Sequence, residues 1–274
     1  MKRLGKIVLG IVLVVWTVLP IYNMILIALD DDAAEYSGTI WPNEWSFESF
    51  RVIWTQEYWY LEHFWRQFGN SCLMGFATMV ATVAIGSLTS FALGRMRLRH
   101  GWLIGNAALL TYALPASFLA IPFVHIMHRY GLSDTLWSVI AAQTMFATPY
   151  GILIFQQYGR LIPLELDDAA RVDGASPGQM YWFVYMPLMA PALVAVGTYA
   201  LLLAWNEYLY QFLLLSSTRS MTVAVALDQF FDSDEAPWNY MMATAIVYSL
   251  PPIATYYALR RYMVAGLTMG GVKG

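Results

Sequence analysis

Four carboxylates, Glu165, Asp167, Asp168 and Asp173, fall within one short run of the chain, Glu165-Leu-Asp-Asp-Ala-Ala-Arg-Val-Asp-Gly-Ala-Ser-Pro-Gly178. Carboxylates in a cleft can work as general acid and base, but on an exposed helix they are docking or solvated charges. No nucleophile paired with a base accompanies them. The other reactive residues are sparse: His125-x-x-His128 lacks a Cys or carboxylate to complete a metal set, and the single Cys72 cannot form an internal disulfide. No GxxxxGK[ST] phosphate cradle occurs. These residues predict no catalytic group, no metal site and no cofactor held by this chain. A fifth carboxylate, Glu207 in Trp205-Asn206-Glu207-Tyr208, lies inside an apolar block, where it must find water, a partner or a proton.

The carboxylate run needs a helix–turn–helix to position it. Pro163 suits the first turn of a helix, and Asp173-Gly174 ends that helix with the residue that best tolerates a left-handed backbone. Ser176 caps a second helix, Pro177 fits its first position, and the apolar run from Met180 carries it onward. On the first helix Leu166, Ala169, Ala170 and Asp173 share one face, where two alanines let another surface approach closely. The prediction is a compact knob on the water side of a membrane.

Composition places the rest of the chain in lipid. Hydrophobic residues make up 59% and charged residues 12%, a charged share far below that of soluble domains. Six apolar blocks are long enough, or nearly so, to cross a hydrocarbon core as helices, at about residues 7–29, 71–93, 102–125, 136–155, 188–215 and 240–259. They are apolar all round, which excludes the alternating strands of a β-barrel. With six spans both termini share one side. If that side is cytoplasmic, it holds eleven Lys and Arg, including Arg95, Arg160 and Arg171, against four outside. Thirteen of the eighteen acidic residues lie outside, so the net charge of −3 hides a polarised molecule, and no basic tract suggests nucleic acid. The first block is too long for a secretory signal and is expected to be retained.

Two external segments remain, residues 30–66, dense in aromatics, and residues 216–239. They suit an interfacial helix or a partner-docking surface, and neither is long enough for a separate domain. A single domain over 1–274 is expected. In the fifth block Ala200, Ala204, Glu207 and Gln211 share one helical face, which predicts a helix facing a protein interior or a water-filled path. Trp205, Asn206, Glu207 and Tyr208 are therefore candidates for the substrate path or for pore packing. Pro20, Pro115, Pro122, Pro149 and Pro251-Pro252 predict kinks.

Asp168-Ala169-Ala170 followed by Gly174 resembles the EAA signature of ABC-importer permeases, with Asp where Glu is usual. Asp173-Gly-Ala-Ser176, Met186-Pro-Leu188 with Pro191, Trp205-Asn-Glu-Tyr208 and the ending Gly266-Leu-Thr-Met-Gly-Gly-Val-Lys-Gly274 are similar to the carbohydrate-uptake, maltose-type branch, from about residue 67 to the C-terminus. The resemblance implies an all-α polytopic protein of six transmembrane helices in the bacterial inner membrane, with a cytoplasmic helix–turn–helix coupling loop over about residues 160–186. It implies a permease delivering a sugar or sugar-like solute, working with a second related permease, two ATPase subunits that bind ATP and Mg, and an external solute-binding protein. It assigns ATPase docking to Glu165, Asp168, Ala169, Ala170, Asp173 and Gly174, and an ATPase-contacting tail to Gly270, Gly271 and Lys273. An ion-coupled secondary transporter built around Glu207 is the alternative, but it gives no reason for the knob. A membrane-embedded enzyme has no catalytic cluster to support it.

Overall fold

The computed structural model describes residues 2–30, 41, 44–96, 98, 101–111, 114–231 and 237–269. Its elements are helices: α1 (Lys2–Ala28), α2 (Glu48–Thr55), α3 (Phe64–Arg95), α4 (Gly101–Leu110), α5 (Ala116–Arg129), α6 (Leu136–Gly159), α7 (Glu165–Val172), α8 (Pro177–Gln179), α9 (Met186–Leu188), α10 (Ala190–Asn206), α11 (Leu209–Leu214), α12 (Val223–Asp228) and α13 (Trp238–Met269). A π-helical turn, Met180–Tyr185, joins α8 to α9. Gly270, Gly271 and Lys273 of the expected tail lie outside the described residues.

Three helical stretches among the described residues are long and apolar enough to cross a membrane, Arg3–Ala28, Trp59–Arg95 and Leu136–Gly159. Pro177–Leu188 with Ala190–Asn206 makes a fourth, bent by 80°. Two expected spans are not continuous helices. The block at 102–125 divides into α4 and α5, because Pro115, at the N-cap of α5, has no N–H to donate and disfavours helix in the residue before it. The block at 188–215 stops at Asn206 and resumes at Leu209. The block at 240–259 lies within α13, with Pro251 and Pro252 inside the helix.

The chain divides into two compact units. One comprises Met1–Phe68 with Thr222–Leu250. Its core gathers Val52 and Ile53 of α2, Tyr60 and Leu61 from the following turn, Phe64 at the start of α3, and Val223, Phe230 and Met241 from the far end of the sequence. Much of the aromatic segment after residue 44 is thus committed inward: Tyr58 sits edge-on to Tyr240 at 5.3 Å and packs on Phe230 at 6.0 Å. Trp54, Trp59 and Phe47 remain exposed.

The other unit comprises Gly69–Met221 with Pro251–Gly274. Its buried groups form two clusters, one around Met74, Val139, Ala142 and Tyr210, the other around Phe91, Phe155, Tyr181, Tyr185, Met189 and Val196. Small residues let the helices approach: a Cβ on Gly75 would meet Leu201 at 2.9 Å and Trp205 at 3.1 Å, and one on Gly151 would meet Val196 at 3.0 Å.

Between α5 and α6, Asp134 takes a left-handed backbone, φ 56°, and its carboxylate gathers the loop after α11. The Ser216 N–H donates to Oδ1 at 2.8 Å and the Ser217 N–H at 3.0 Å, and the Ser220 hydroxyl donates to the same oxygen. Burial alone would raise the Asp134 pKa; the bonds from Ser220, Ser217 and Ser216 outweigh it and hold the carboxyl well below the usual carboxylate range. A depressed folded-state pKa contributes stability that is fully present above the unfolded value of about 3.9 and is lost as pH falls below that value through the lower folded-state one. Asp134→Ala should therefore cost ~0.5–1.5 kcal/mol by removing these bonds, with a penalty constant from about pH 8 to pH 5 and shrinking only below about pH 4. Melting temperatures of parent and variant across that range check this; a penalty that halves between pH 8 and pH 5 would contradict it.

Candidate functional site

Helix α7 opens with Glu165, Asp167 and Asp168 in its first turn, where carboxylates meet the positive end of the helix dipole. It ends in a Schellman closure. The Gly174 N–H donates to the Arg171 carbonyl at 3.0 Å and the Ala175 N–H to the Ala170 carbonyl at 2.9 Å, with Gly174 at φ 80°. Ala170 and Ala175, the two residues that this closure brings together, pack on the core around Phe91 and Phe155.

The following helix is fixed by a reciprocal cap. The Gln179 N–H donates to Ser176 Oγ at 3.3 Å and the Ser176 N–H to Gln179 Oε1 at 2.7 Å, with Pro177 first in the helix. Beyond it the chain widens into the π turn, in which the Met186 N–H reaches the Tyr181 carbonyl. That turn faces α3: Tyr181 and Ser87 hydroxyls are 2.7 Å apart, Tyr185 and Ser90 hydroxyls 3.1 Å, and Phe91 meets both tyrosine rings edge-on at 5.4 and 5.2 Å.

A buried ion pair joins the knob to the long helices. Arg95, the last residue of α3, donates from Nη1 to Asp167 Oδ2 at 2.7 Å, and the two side chains are only 4% and 8% exposed. Its Nη2 donates to the carbonyls of Gly159 at 2.9 Å and Ile162 at 3.0 Å, which lie at the end of α6 and in the link to α7. One guanidinium therefore fastens α3, α6 and α7, a use suited to its rigid fork of donors.

This geometry sorts the predicted docking residues. Glu165, Leu166, Asp168, Ala169, Asp173 and Gly174 are exposed, and Val172 is 88% exposed. Ala170 turns inward, so the face anticipated from Leu166, Ala169, Ala170 and Asp173 is split: one alanine packs the knob down and the other is presented outward. Arg171 pairs with Asp168 at 3.4 Å, a surface contact of small worth. The inward roles of Asp167 and Arg95 and the bare apolar Val172 were missed. Asp167 was visible only as the carboxylate one turn before Ala170 on the inner face, and Arg95 only as one more basic residue at a helix end.

The second predicted group lies at the break in the fifth block. Glu207 is extended, φ −79° and ψ 130°, which ends α10. Its Oε1 accepts the Tyr210 N–H at 2.8 Å and its Oε2 accepts Gln143 Nε2 at 2.7 Å. Gln211 Nε2 donates to the Ala204 carbonyl at 3.3 Å and to the Glu207 carbonyl. A helix interrupted in an apolar medium must find partners for its freed groups, and Glu207 and Gln211 supply them from side chains. The expected continuous face is thus folded into a polar knot. Trp205 is buried against the Gly75 position of α3; Asn206 is exposed and donates to the Leu202 carbonyl at 2.8 Å; Tyr208 stacks on Phe212.

Long apolar helices, a broken helix with its own polar partners and an exposed helix–turn–helix pinned by a buried ion pair define the membrane subunit of a transporter. Residues 83–268 match the binding-protein-dependent transport system inner membrane component family, and the chain belongs to that family. It is similar to the trehalose transport system permease protein SugB of Mycobacterium tuberculosis, 32% identical over 269 residues, which are 97% of this chain and 96% of the relative. It is 28% identical over 271 residues to the diacetylchitobiose uptake system permease protein DasC of Streptomyces coelicolor, covering 97% and 96%. Its fold matches a chain in the crystal structure of a bacterial ABC transporter involved in the import of the acidic polysaccharide alginate, with a TM-score of 0.80 at 21% identity over 95% of this chain and 97% of the other. The protein is accordingly a permease subunit of an ABC importer and a multi-pass inner-membrane protein. Membership implies, in general terms, a partner permease, ATPase subunits and a binding protein beside it.

Proposed function

We propose that this chain forms half of the translocation path for a sugar or sugar-like solute, handed over by an external binding protein. The naming of trehalose and diacetylchitobiose systems among its relatives supports the substrate class. In this reading six spans cross the membrane with both termini in the cytoplasm, α4 and α5 together forming the third and α10 and α11 completing the fifth. The chain binds no cofactor. ATP and Mg are held by two separate ATPase subunits, which dock on the knob between residues 160 and 186, and the tail residues Gly270, Gly271 and Lys273 reach the same subunits.

The observation that carries the reading is the exposed tip of α7, with Glu165, Asp168, Ala169, Val172, Asp173 and Gly174 outward and Asp167 locked inward on Arg95. Such a tip can be gripped without its base coming loose. Ala169→Trp adds bulk on this outward face, at a residue that is exposed. It should abolish co-purification of the ATPase subunits while leaving membrane insertion intact, and solute-stimulated ATP hydrolysis in proteoliposomes should fall to the unstimulated level. An Ala169→Trp complex that assembles and couples like the parent would remove the docking assignment.

A further inference from the structure

A cavity of about 590 Å³ opens beside the Arg95–Asp167 pair, between the end of α3, α4 and α6. Its size lies in the range of small-ligand sites, ~300–1,000 Å³. Leu93, Ile152, Leu153 and Leu164 give the lining aliphatic surface, and Asn106, Gln156 and Arg160 give it polar groups. Glycines leave the room: a Cβ on Gly94 would meet nothing within 4 Å, and one on Gly105 would meet only the Gln156 amide, at 3.5 Å.

The charge of this cavity is unbalanced. Arg95 also lines it, but its charge is matched by Asp167. Arg160 is exposed and makes no ion pair among the described residues. Among the described residues, the lining therefore carries one positive charge without an ion-pair partner, beside neutral amides and an aliphatic surface. An anionic head with an apolar tail complements that arrangement, and basic pockets between membrane helices on the cytoplasmic side hold anionic lipid headgroups.

We propose that this cavity binds an anionic phospholipid, with its phosphate on Arg160, its polar head against Asn106 and Gln156, and an acyl chain along Leu93, Ile152 and Leu153. The proposal rests on the orientation given above, in which residue 160 lies at the cytoplasmic membrane face. Its consequence follows from shared walls: Arg95, Gly159, Ile162 and Tyr185, which fasten the docking knob, line the same cavity. A bound lipid fills the space behind the knob and holds it in the position the ATPase grips.

The test uses the assembled transporter in nanodiscs of phosphatidylcholine alone or with phosphatidylglycerol. Lipid retained on the complex is read by native mass spectrometry, and solute-stimulated ATP hydrolysis is read separately. The parent should retain phosphatidylglycerol, and Arg160→Gln should weaken retention about fivefold, the ratio matching the ~1 kcal/mol of one basic side chain at an anionic surface. Gly105→Leu, which fills the cavity and leaves Arg160 in place, should weaken it as well. Phosphatidylglycerol should raise the parent's stimulated hydrolysis and leave both variants unchanged. Equal retention by parent and variants overturns the proposal, as does full replacement of the lipid by soluble glycerol phosphate in phosphatidylcholine discs, or cross-linking of position 105 to a helix of the second permease. Retention is measured without ATP, so loss of the lipid site and failure of the importer reading are distinguishable: the latter shows in a parent complex that lacks ATPase subunits in every lipid.

Discussion

Arg95→Met is expected to cost ~3–5 kcal/mol of stability, because removing one partner of a buried ion pair leaves the other charge uncompensated in a low-dielectric place. The double variant Arg95→Met/Asp167→Leu removes both charges and should recover much of that loss, leaving a remainder of ~1–3 kcal/mol for the Gly159 and Ile162 carbonyls that lose their donor. Arg95→Lys keeps the charge but cannot reproduce the fork that spans a carboxylate and two carbonyls, so it should fall between the two. Melting temperatures in detergent rank the three. A purely structural pair would leave coupling intact in the stable double variant; a joint that transmits motion predicts that the double variant binds the ATPase and yet shows little solute-stimulated hydrolysis. An Arg95→Met protein that melts with the parent would refute the fastening role.

Substitution of Gly174 isolates the turn from its surroundings. A Cβ there meets nothing within 4 Å, so any penalty comes from the backbone at φ 80° and not from a clash. An L-residue in the left-handed region costs ~1–2 kcal/mol, and β-branched side chains fare worst. Gly174→Val should therefore open the closure onto the Ala170 and Arg171 carbonyls, tilt α7 and lose solute-stimulated ATP hydrolysis almost entirely. Gly174→Asn, which tolerates the left-handed region, should retain most of it. The order Gly, Asn, Ala, Val in coupled hydrolysis is the signature; equal activity of the Asn and Val variants would mean the backbone at this position is not what matters.

Much of the knob is legible in the sequence because its determinants are local. Gly174 at the end of one helix and Ser176-Pro177 at the start of the next each act through residues within a turn of themselves, and the caps form as the residue types dictate. The membrane character is equally local, since it rests on runs of apolar residues. The inner face of α7 is different. Which alanine turns outward is decided by Asp167 meeting Arg95, seventy-two positions away in the chain, and no periodicity within α7 reveals that partner.

The fifth block shows the opposite failure. Apolar length predicts one uninterrupted helix through Glu207, with Glu207 and Gln211 on one face along it. Glu207 and Gln211 instead satisfy backbone groups of the break themselves, at Tyr210, Ala204 and Glu207, which lowers the cost of interrupting a helix in lipid. The signal was present in the spacing of Glu207 and Gln211, one turn apart. It becomes decisive only when Gln143, on another helix, takes the second carboxylate oxygen.

The π turn at Met180–Tyr185 has a geometric consequence for the whole connection between knob and α10. A π turn carries one residue more than the α-helix it interrupts, and one residue corresponds to about 100° of rotation about a helix axis. The angular phase between the knob and the membrane helices is thus set by a single inserted residue. A chain shortened by one residue within this turn could keep every hydrogen bond of a regular helix and still present the tip of α7 in the wrong direction, much as a key cut with one tooth displaced still enters the lock but does not turn it.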